Sequence, residues 1–397
     1  MAIDAAGQTA NGRPEIPFRG LDSNVVREQG VPAPDEIEIT LLGVNESSGE
    51  SIVIHIGNDE WIVIDCCTTR EGINLPLFYL TALGVNLDNV KRVACTHLHS
   101  DHVNGLSEVL RNCKNAWFAY PLIGDETSME YILAEYNLDE SLPNKGVFGE
   151  FMKCIEIMKK EKREYAHLNI DTPIYADKSR HVMGISPSRK LNEIYQYKLL
   201  KYKPGDPIPT HMLKTNFCSV ATILNIGNVN AILGADLEAN RAVGSDIHLC
   251  KGTCKRKSKR GWCNVFEGSQ YFKCYQYDYI KIPHHSSQTG FCSLLWDNFI
   301  IKPSVGTSTV FHEGDNILPT EEMKKEYATL CSELYYTSRT PQLRKDKIRG
   351  AMIDEKKGAA FDDLVVIPEQ IGVITSRKQI NGGEWHTNYL FSAIREK

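Results

Sequence analysis

The chain has 397 residues of which 42% are hydrophobic, enough to bury a large core as one elaborated domain or two. Its formal net charge of -5 is a balance of mixed charges, so it lacks the global basic field of many nucleic-acid binders, although a local patch escapes this test. No apolar run reaches the roughly eighteen residues that span a bilayer, so no membrane partner is expected.

The segment 1–25 is polar and without the basic-then-apolar order of a signal peptide, and 1–34 reads as a loose lead-in rich in small and polar residues. The twelve cysteines are scattered, which suits reduced thiols and a cytoplasmic protein. Strands are expected at 36–42, 51–56 and 61–64, the last two joined as a hairpin by Gly57-Asn58-Asp59. Leu75 to Leu83 spaces its apolar residues as a helix does, with Gly84 as the stop, and 90–95 is the next strand. A polar cluster follows it, and Leu106 opens another helix. Strand, helix, strand, loop, helix is an α/β layered pattern.

From 124 to about 209 the character changes. Helices are expected at 129–136 and 148–165, the second highly charged, so this stretch reads as a mostly helical insertion with a solvated face. Strands resume at 219–226 and 230–233 around Gly227-Asn228, and again at 279–282, with a helix over 321–334. Everything from 35 to 397 is taken as one domain carrying that insertion and a second, basic and cysteine-containing one at about 248–275.

The chemistry concentrates at His97-Leu98-His99-Ser100-Asp101-His102, in the loop that leaves the 90–95 strand. Three imidazoles and a carboxylate in six residues are the ligand types of zinc, manganese or iron. Alternation aims His97 and His99 the same way and lets Asp101 and His102 face a second point. Two further strand ends carry ligand types: Gly234-Ala235-Asp236, and Pro283-His284-His285-Ser286-Ser287. Groups at neighbouring strand ends converge in layered α/β folds, so these join the first cluster in one site.

The order His-x-His-x-Asp-His, strand-Gly-x-Asp, strand-His-His-x-Ser resembles the metallo-β-lactamase superfamily. More narrowly it is similar to the hydrolase domain of the bacterial DNA-uptake (competence) channel protein. Val63-Ile64-Asp65-Cys66 matches the Ile-Asp-x-Gly of that branch with cysteine in place of glycine. The turn 43–51, Asn216-Phe217-Cys218-Ser219 and Asp315-Asn316-Ile317-Leu318-Pro319 match its other signatures, so that about 36–340 is covered. The resemblance implies an αββα four-layer sandwich and a centre of two divalent metal ions, zinc or manganese. It places His97 and His99 on the first ion, Asp101 and His102 on the second, and Asp236 between them. One of His284 and His285 completes the second site, with His285 preferred. The further histidine that most members place before the Ser219 strand is missing; Thr215 and Asn216 stand there, and His181 and His211 are the available substitutes.

Such a centre activates a water for hydrolysis, with Asp101 and Asp236 as the catalytic carboxylates. Asp65 is placed to fix a histidine tautomer, and Asn216 and Ser286 or Ser287 to face substrate. The expected activity is that of a phosphodiesterase or nuclease, by analogy with the branch. The dense basic run with Lys255, Arg256, Lys257, Lys259 and Arg260 lies between two ligand strands and can neutralise phosphates, with Trp262, Phe266, Tyr271 and Phe272 beside it as base-stacking candidates. Cys250, Cys254, Cys263 and Cys274 are a loose candidate for a structural zinc. The alternatives are a small-molecule hydrolase acting on a lactone, thioester or similar ester, and a regulatory scaffold with a vestigial metal site whose helical insertion docks a protein partner.

Overall fold

The structure is a computed structural model that describes residues 21–45, 49–121, 145–193, 216–239, 260–313, 316–340 and 370–397. The strands run β1 (Glu36–Val44), β2 (Gly49–His55), β3 (Trp61–Ile64), β4 (Val90–Ala94), β5 (Trp117–Pro121) and β6 (Tyr165–Leu168). Next come β7 (Thr172–Ala176), β8 (Arg180–Gly184), β9 (Thr222–Ile226), β10 (Val229–Leu233), β11 (Tyr277–Lys281) and β12 (Ile300–Ser308). The last are β13 (Phe311–Glu313), β14 (Asn316–Leu318), β15 (Glu333–Tyr336), β16 (Ile371–Gln379), β17 (His386–Phe391) and β18 (Ile394–Arg395). They form two eight-stranded sheets, β17-β16-β1-β2-β3-β4-β5-β6 and β18-β15-β12-β11-β10-β9-β8-β7, plus the small β13-β14 hairpin.

The two-residue period of the strands explains the layering. On β2 and β3, Ile52, Ile54, Ile62 and Ile64 point between the sheets, where they meet Leu224, Ala231 and Tyr279 of the second sheet. Val53, Trp61 and Val63 point the other way, onto Tyr79, Leu80 and Leu83 of α1 (Leu75–Leu83) and Leu110 of α2 (Leu106–Asn112). The outer face of the second sheet is covered by Trp262 and Val265 of α3 (Trp262–Gly268), Leu295 and Trp296 of α4 (Ser293–Asn298), and Met323 and Tyr327 of α5 (Glu321–Leu330). Helix, sheet, sheet, helix is the expected αββα order. Helix α1 starts where the Asn74 side chain accepts from Leu77 N–H and stops where Gly84 turns to φ 87°, a left-handed angle that suits glycine.

Several expectations are corrected. The region from 124 to 209 is not mostly helical among its described residues. It holds one long helix, Lys145–Glu161, and then β6, β7 and β8, which complete the edges of both sheets. The expected helix at 129–136 lies outside the described residues. The lead-in is not wholly loose, because Ser23–Arg27 is helical and Leu21 and Val26 are buried in the first outer core. The helix from Glu321 ends at Leu330, and Glu333–Tyr336 is a strand. The region beyond 340 supplies β16, which pairs with β1 through nine residue pairs from Glu36–Gln379 to Val44–Ile371. Of the basic insertion, 248–259 lies outside the described residues, and its second half is core: Trp262 and Phe272 are fully buried, with the Phe272 ring 4.5 Å from that of Phe299. Those two aromatics are therefore not free to stack bases. No helix among the described residues is long and apolar enough to cross a membrane.

Candidate metal centre

The cluster forms where strand ends of both sheets meet. Parallel pairing of β3 with β4, of β10 with β11, and of β11 with β12 brings the loops after Ile64, Ala94, Leu233, Lys281 and Ser308 to one end of the sandwich. The backbone is strained there: Asp65, Ala235, His284, His285 and Ser286 all have positive φ, between 43° and 58°. Such conformations cost on the order of 1–3 kcal/mol each and persist where the surroundings impose them.

Two groups of ligand atoms converge, each within 4.8 Å of one another: Asp101, His102, Asp236 and His285, and His97, His99 and Asp236. Asp236 belongs to both. His102 Nε2 lies 3.5 Å from Asp101 Oδ2 and 3.4 Å from Asp236 Oδ1, and His285 Nε2 lies 3.3 Å from Asp101 Oδ2. On the other side His97 Nε2 is 3.6 Å from Asp236 Oδ2 and 3.1 Å from His99 Nδ1. His102 Nε2, His285 Nε2 and Asp236 Oδ1 are buried and have no hydrogen-bond partner. Buried polar atoms are almost always paired, so three orphans aimed at one point fit a cation.

The contacts behind the cluster set which nitrogen points inward. Asp65 accepts hydrogen bonds from Thr96 N–H at 2.7 Å, Thr96 Oγ1 at 2.6 Å and His102 Nδ1 at 2.7 Å, which leaves His102 Nε2 facing the centre. Ser219 Oγ accepts from Asp236 N–H at 3.1 Å and lies 3.4 Å from His97 Nδ1. Electrostatics agree with a cation site. Burial pushes the His102 pKa down, but Asp236, Asp101 and Asp65 override it and hold the ring well above the ordinary imidazole range. Burial, aided by His102 and His99, holds His97 well below that range, leaving the ring neutral. Burial works to raise Asp101 and Asp236, yet the neighbouring His102 and His285 keep both carboxyls below their usual range. Carboxylates that draw a proton onto His102 would draw a divalent cation in its place.

The paired histidines separate clearly. His285 is 1% exposed and belongs to the second group. His284 flanks it: Asn216 Nδ2 donates to its Nε2 at 3.1 Å, while Nδ1 faces Thr289 Oγ1 at 2.9 Å and Glu238 Oε1 at 3.4 Å. Its Nε2 is 3.9 Å from Asp236 Oδ2. Beside the cluster opens a cavity of about 700 Å³, lined by His99, Asp101, Asp236, Asn216, Glu238, Ser287, Phe311 and Glu313 among others. Ser287 reaches this wall, whereas Ser286 is fully buried and does not line it. His181 joins neither group; its ring lies 5.7 Å from that of Tyr271, so it does not replace the missing histidine, and His211 and Thr215 lie outside the described residues. Cys263 is buried and Cys274 exposed, no cysteine among the described residues joins a metal group, and Cys250 and Cys254 lie outside them. Lys255, Arg256, Lys257 and Lys259 also lie outside, but Arg260 stands over the Phe217 ring at 5.7 Å, beside Asn216. Sequence reasoning gave no site role to Glu50, Lys281, Thr309, Glu238 or Phe311; Glu50 and Lys281 lie within segments it named, the 43–51 turn and the 279–282 strand, and the other three carry no local motif.

Residues 44–185 match the family model of the metallo-beta-lactamase superfamily. The anti-Pycsar protein Apyc1 of Paenibacillus sp. (strain J14) is 26% identical over 149 residues, which are 37% of this chain and 58% of that protein. The chain thus spans under two thirds of that relative's length. Among solved structures, the metallo-beta-lactamase fold protein YhfI of Bacillus subtilis aligns at 10% identity over 78% of this chain and 98% of its own, with a TM-score of 0.36. The Rm3 metallo-beta-lactamase aligns at 13% identity over 67% and 83%, with a TM-score of 0.32. The architecture of two packed sheets between helices is the metallo-beta-lactamase fold.

Proposed function

We propose that this protein is a metal-dependent hydrolase with two divalent ions, zinc or manganese, acting on phosphodiesters. The observation that carries the reading is the convergence of the unpartnered His102 Nε2, His285 Nε2 and Asp236 Oδ1 in a buried, carboxylate-rich cluster. His97, His99 and Asp236 would hold one ion, and Asp101, His102, Asp236 and His285 the other. When bound, such ions acidify a water and polarise a substrate oxygen. The chain's own groups do the rest. Asp101 reaches the cavity and orients the attacking water by accepting its hydrogen bond; Asp65 keeps His102 in one tautomer; Ser287 lines the cavity as a donor to a substrate oxygen, and Asn216, whose amide donates to His284 and Glu238, holds the His284 ring at the cavity wall.

The phosphodiester assignment rests on the order of the motifs, shared with the DNA-uptake branch, and on the basic run 251–260 between Asp236 and His284. A second reading, a compact ester in place of a polymer, is favoured by the cavity wall. Among its described residues there is no lysine or arginine, while Glu238 and Glu313 are acidic. An extended polyanion gains little from such a wall.

The test is hydrolysis of labelled single- and double-stranded DNA and RNA, a cyclic nucleotide, a lactone and a thioester. It is run on the protein and on a variant with Lys255, Arg256, Lys257, Lys259 and Arg260 neutralised. Cleavage of a polymer that weakens with salt and with neutralisation supports the nuclease form of the reading. Turnover of the cyclic nucleotide alone, indifferent to neutralisation, supports the compact substrate. Turnover of the lactone or thioester with every phosphodiester inert would overturn the phosphodiesterase reading.

A further inference from the structure

Glu50 and Lys281 form an ion pair at 2.5 Å with side chains 1% and 0% exposed. Glu50 lies on β2 in the first sheet and Lys281 ends β11 in the second, so the pair ties the two sheets together beside the metal cluster. Burying two charges is costly, and a well-packed apolar pair is often at least as stable, so stability alone does not account for it.

Each member makes a second contact that ends on a ligand loop. Thr309 Oγ1 donates to Glu50 Oε2 at 2.6 Å. The hydroxyl has one proton, and it is used there, so in the 2.8 Å contact between Thr309 Oγ1 and His285 Nδ1 the ring nitrogen is the donor. His285 is thereby held with its proton on Nδ1 and its lone pair on Nε2, the buried atom that lacks a partner. Glu50 itself is 3.9 Å from that ring and acts through the threonine. Lys281 Nζ donates to Ala235 O at 3.1 Å, which restrains the residue before Asp236 in its left-handed conformation at φ 43°.

We propose that Glu50, Thr309 and Lys281 are positioning residues for the second ion, fixing the tautomer of His285 and the loop of Asp236 from beneath the cluster. This rests on the two-ion reading above. Partners of this kind contribute about 10- to 100-fold to metal affinity.

The test uses the full chain, stripped of metal and titrated with zinc against a competing chromophoric chelator, with the cobalt absorption spectrum as a second readout. The unmodified protein takes up two ions. Thr309→Val retains the first ion, binds the second about 10- to 100-fold more weakly, and shows an altered cobalt spectrum; Thr309→Ser restores both readouts. Glu50→Gln weakens the second ion in the same way, but it strips Lys281 of its counter-charge, so the threonine variants, which leave the ion pair intact, decide the matter. Thr309→Ala, which adds no bulk, serves where the valine variant misfolds. A folded threonine variant, with an unchanged melt of the metal-free protein, that binds both ions as tightly as the unmodified chain would overturn the proposal. An unmodified protein that takes up no ion overturns the two-ion reading itself, and this proposal with it; the two failures are told apart by the variant in which they occur.

Discussion

Asp65 Oδ2 and His102 Nδ1 are 2.7 Å apart, and through this contact the end of β3 sets the orientation of a ring on the short helical turn Ser100–Val103 that follows β4. The same carboxylate holds Thr96, so one side chain organises the whole turn between the strand and the histidine cluster. Asp65→Asn keeps the shape but can present its amide N–H to a ring nitrogen that must itself donate. The expected result is a loss of about 10- to 100-fold in affinity for the ion that His102 would hold, read by chelator competition, with a far-UV circular dichroism spectrum that is unchanged.

His55 links stability to pH. Its Nδ1 faces Glu36 O at 2.8 Å and its Nε2 accepts from Asp59 N–H at 3.1 Å, so the ring is neutral in the fold. Burial lowers its pKa from 6.5 to about 4. Above pH 6.5 the ring is neutral whether folded or unfolded and costs nothing. As pH falls from 6.5 toward 4 the unfolded chain binds the proton and the folded one resists it, so stability declines, by up to about 3 kcal/mol from this residue. Urea midpoints at pH 7, 5.5 and 4.5 should therefore fall more steeply for the unmodified protein than for His55→Gln; parallel slopes would contradict this.

Gly261 sits at φ 56°, and a Cβ there would lie 1.7 Å from Glu238 O. No side-chain movement relieves a clash with backbone, so Gly261→Ala must displace the segment that follows Asp236. A destabilisation of about 1–3 kcal/mol is expected, together with weaker metal uptake, measured by thermal melting and chelator competition.

The C-terminal hairpin is structural. β16 flanks β1 along its whole length, and Val373, Ile374 and Trp385 are buried. A chain lacking 371–397 exposes the long apolar edge of β1 and the outer core beneath it. It should lose its cooperative melt and aggregate; a sharp melting transition in the truncated protein would show that β1 needs no partner there.

What was legible in the residues was local. The β2–β3 hairpin follows from alternating isoleucines and valines around Gly57-Asn58-Asp59, and α1 from its spacing and Gly84, to which the structure adds the Asn74 cap. The ligand loops were legible because histidines and aspartates at strand ends are dense and short in span. β6, β7 and β8 were not, because strands of four or five residues with mixed polarity, such as Tyr165–Leu168, carry no length or periodicity signal. β16 escaped because its partner is more than three hundred residues away. The choice between His284 and His285 could not be read from adjacent identical residues; it turns on Thr309 and Asn216, which reach them from distant loops. The Glu50–Lys281 pair joins two sheets, and no pattern of spacing announces it.

The most direct test of the account is hydrolysis of bis-p-nitrophenyl phosphate by metal-stripped protein resupplied with zinc or manganese, with the Asp101→Ala/Asp236→Ala variant as the blank. The account predicts turnover that requires added metal and is lost in the double variant. Bound metal by elemental analysis with no hydrolysis under either ion, or hydrolysis undiminished in the double variant, would contradict it.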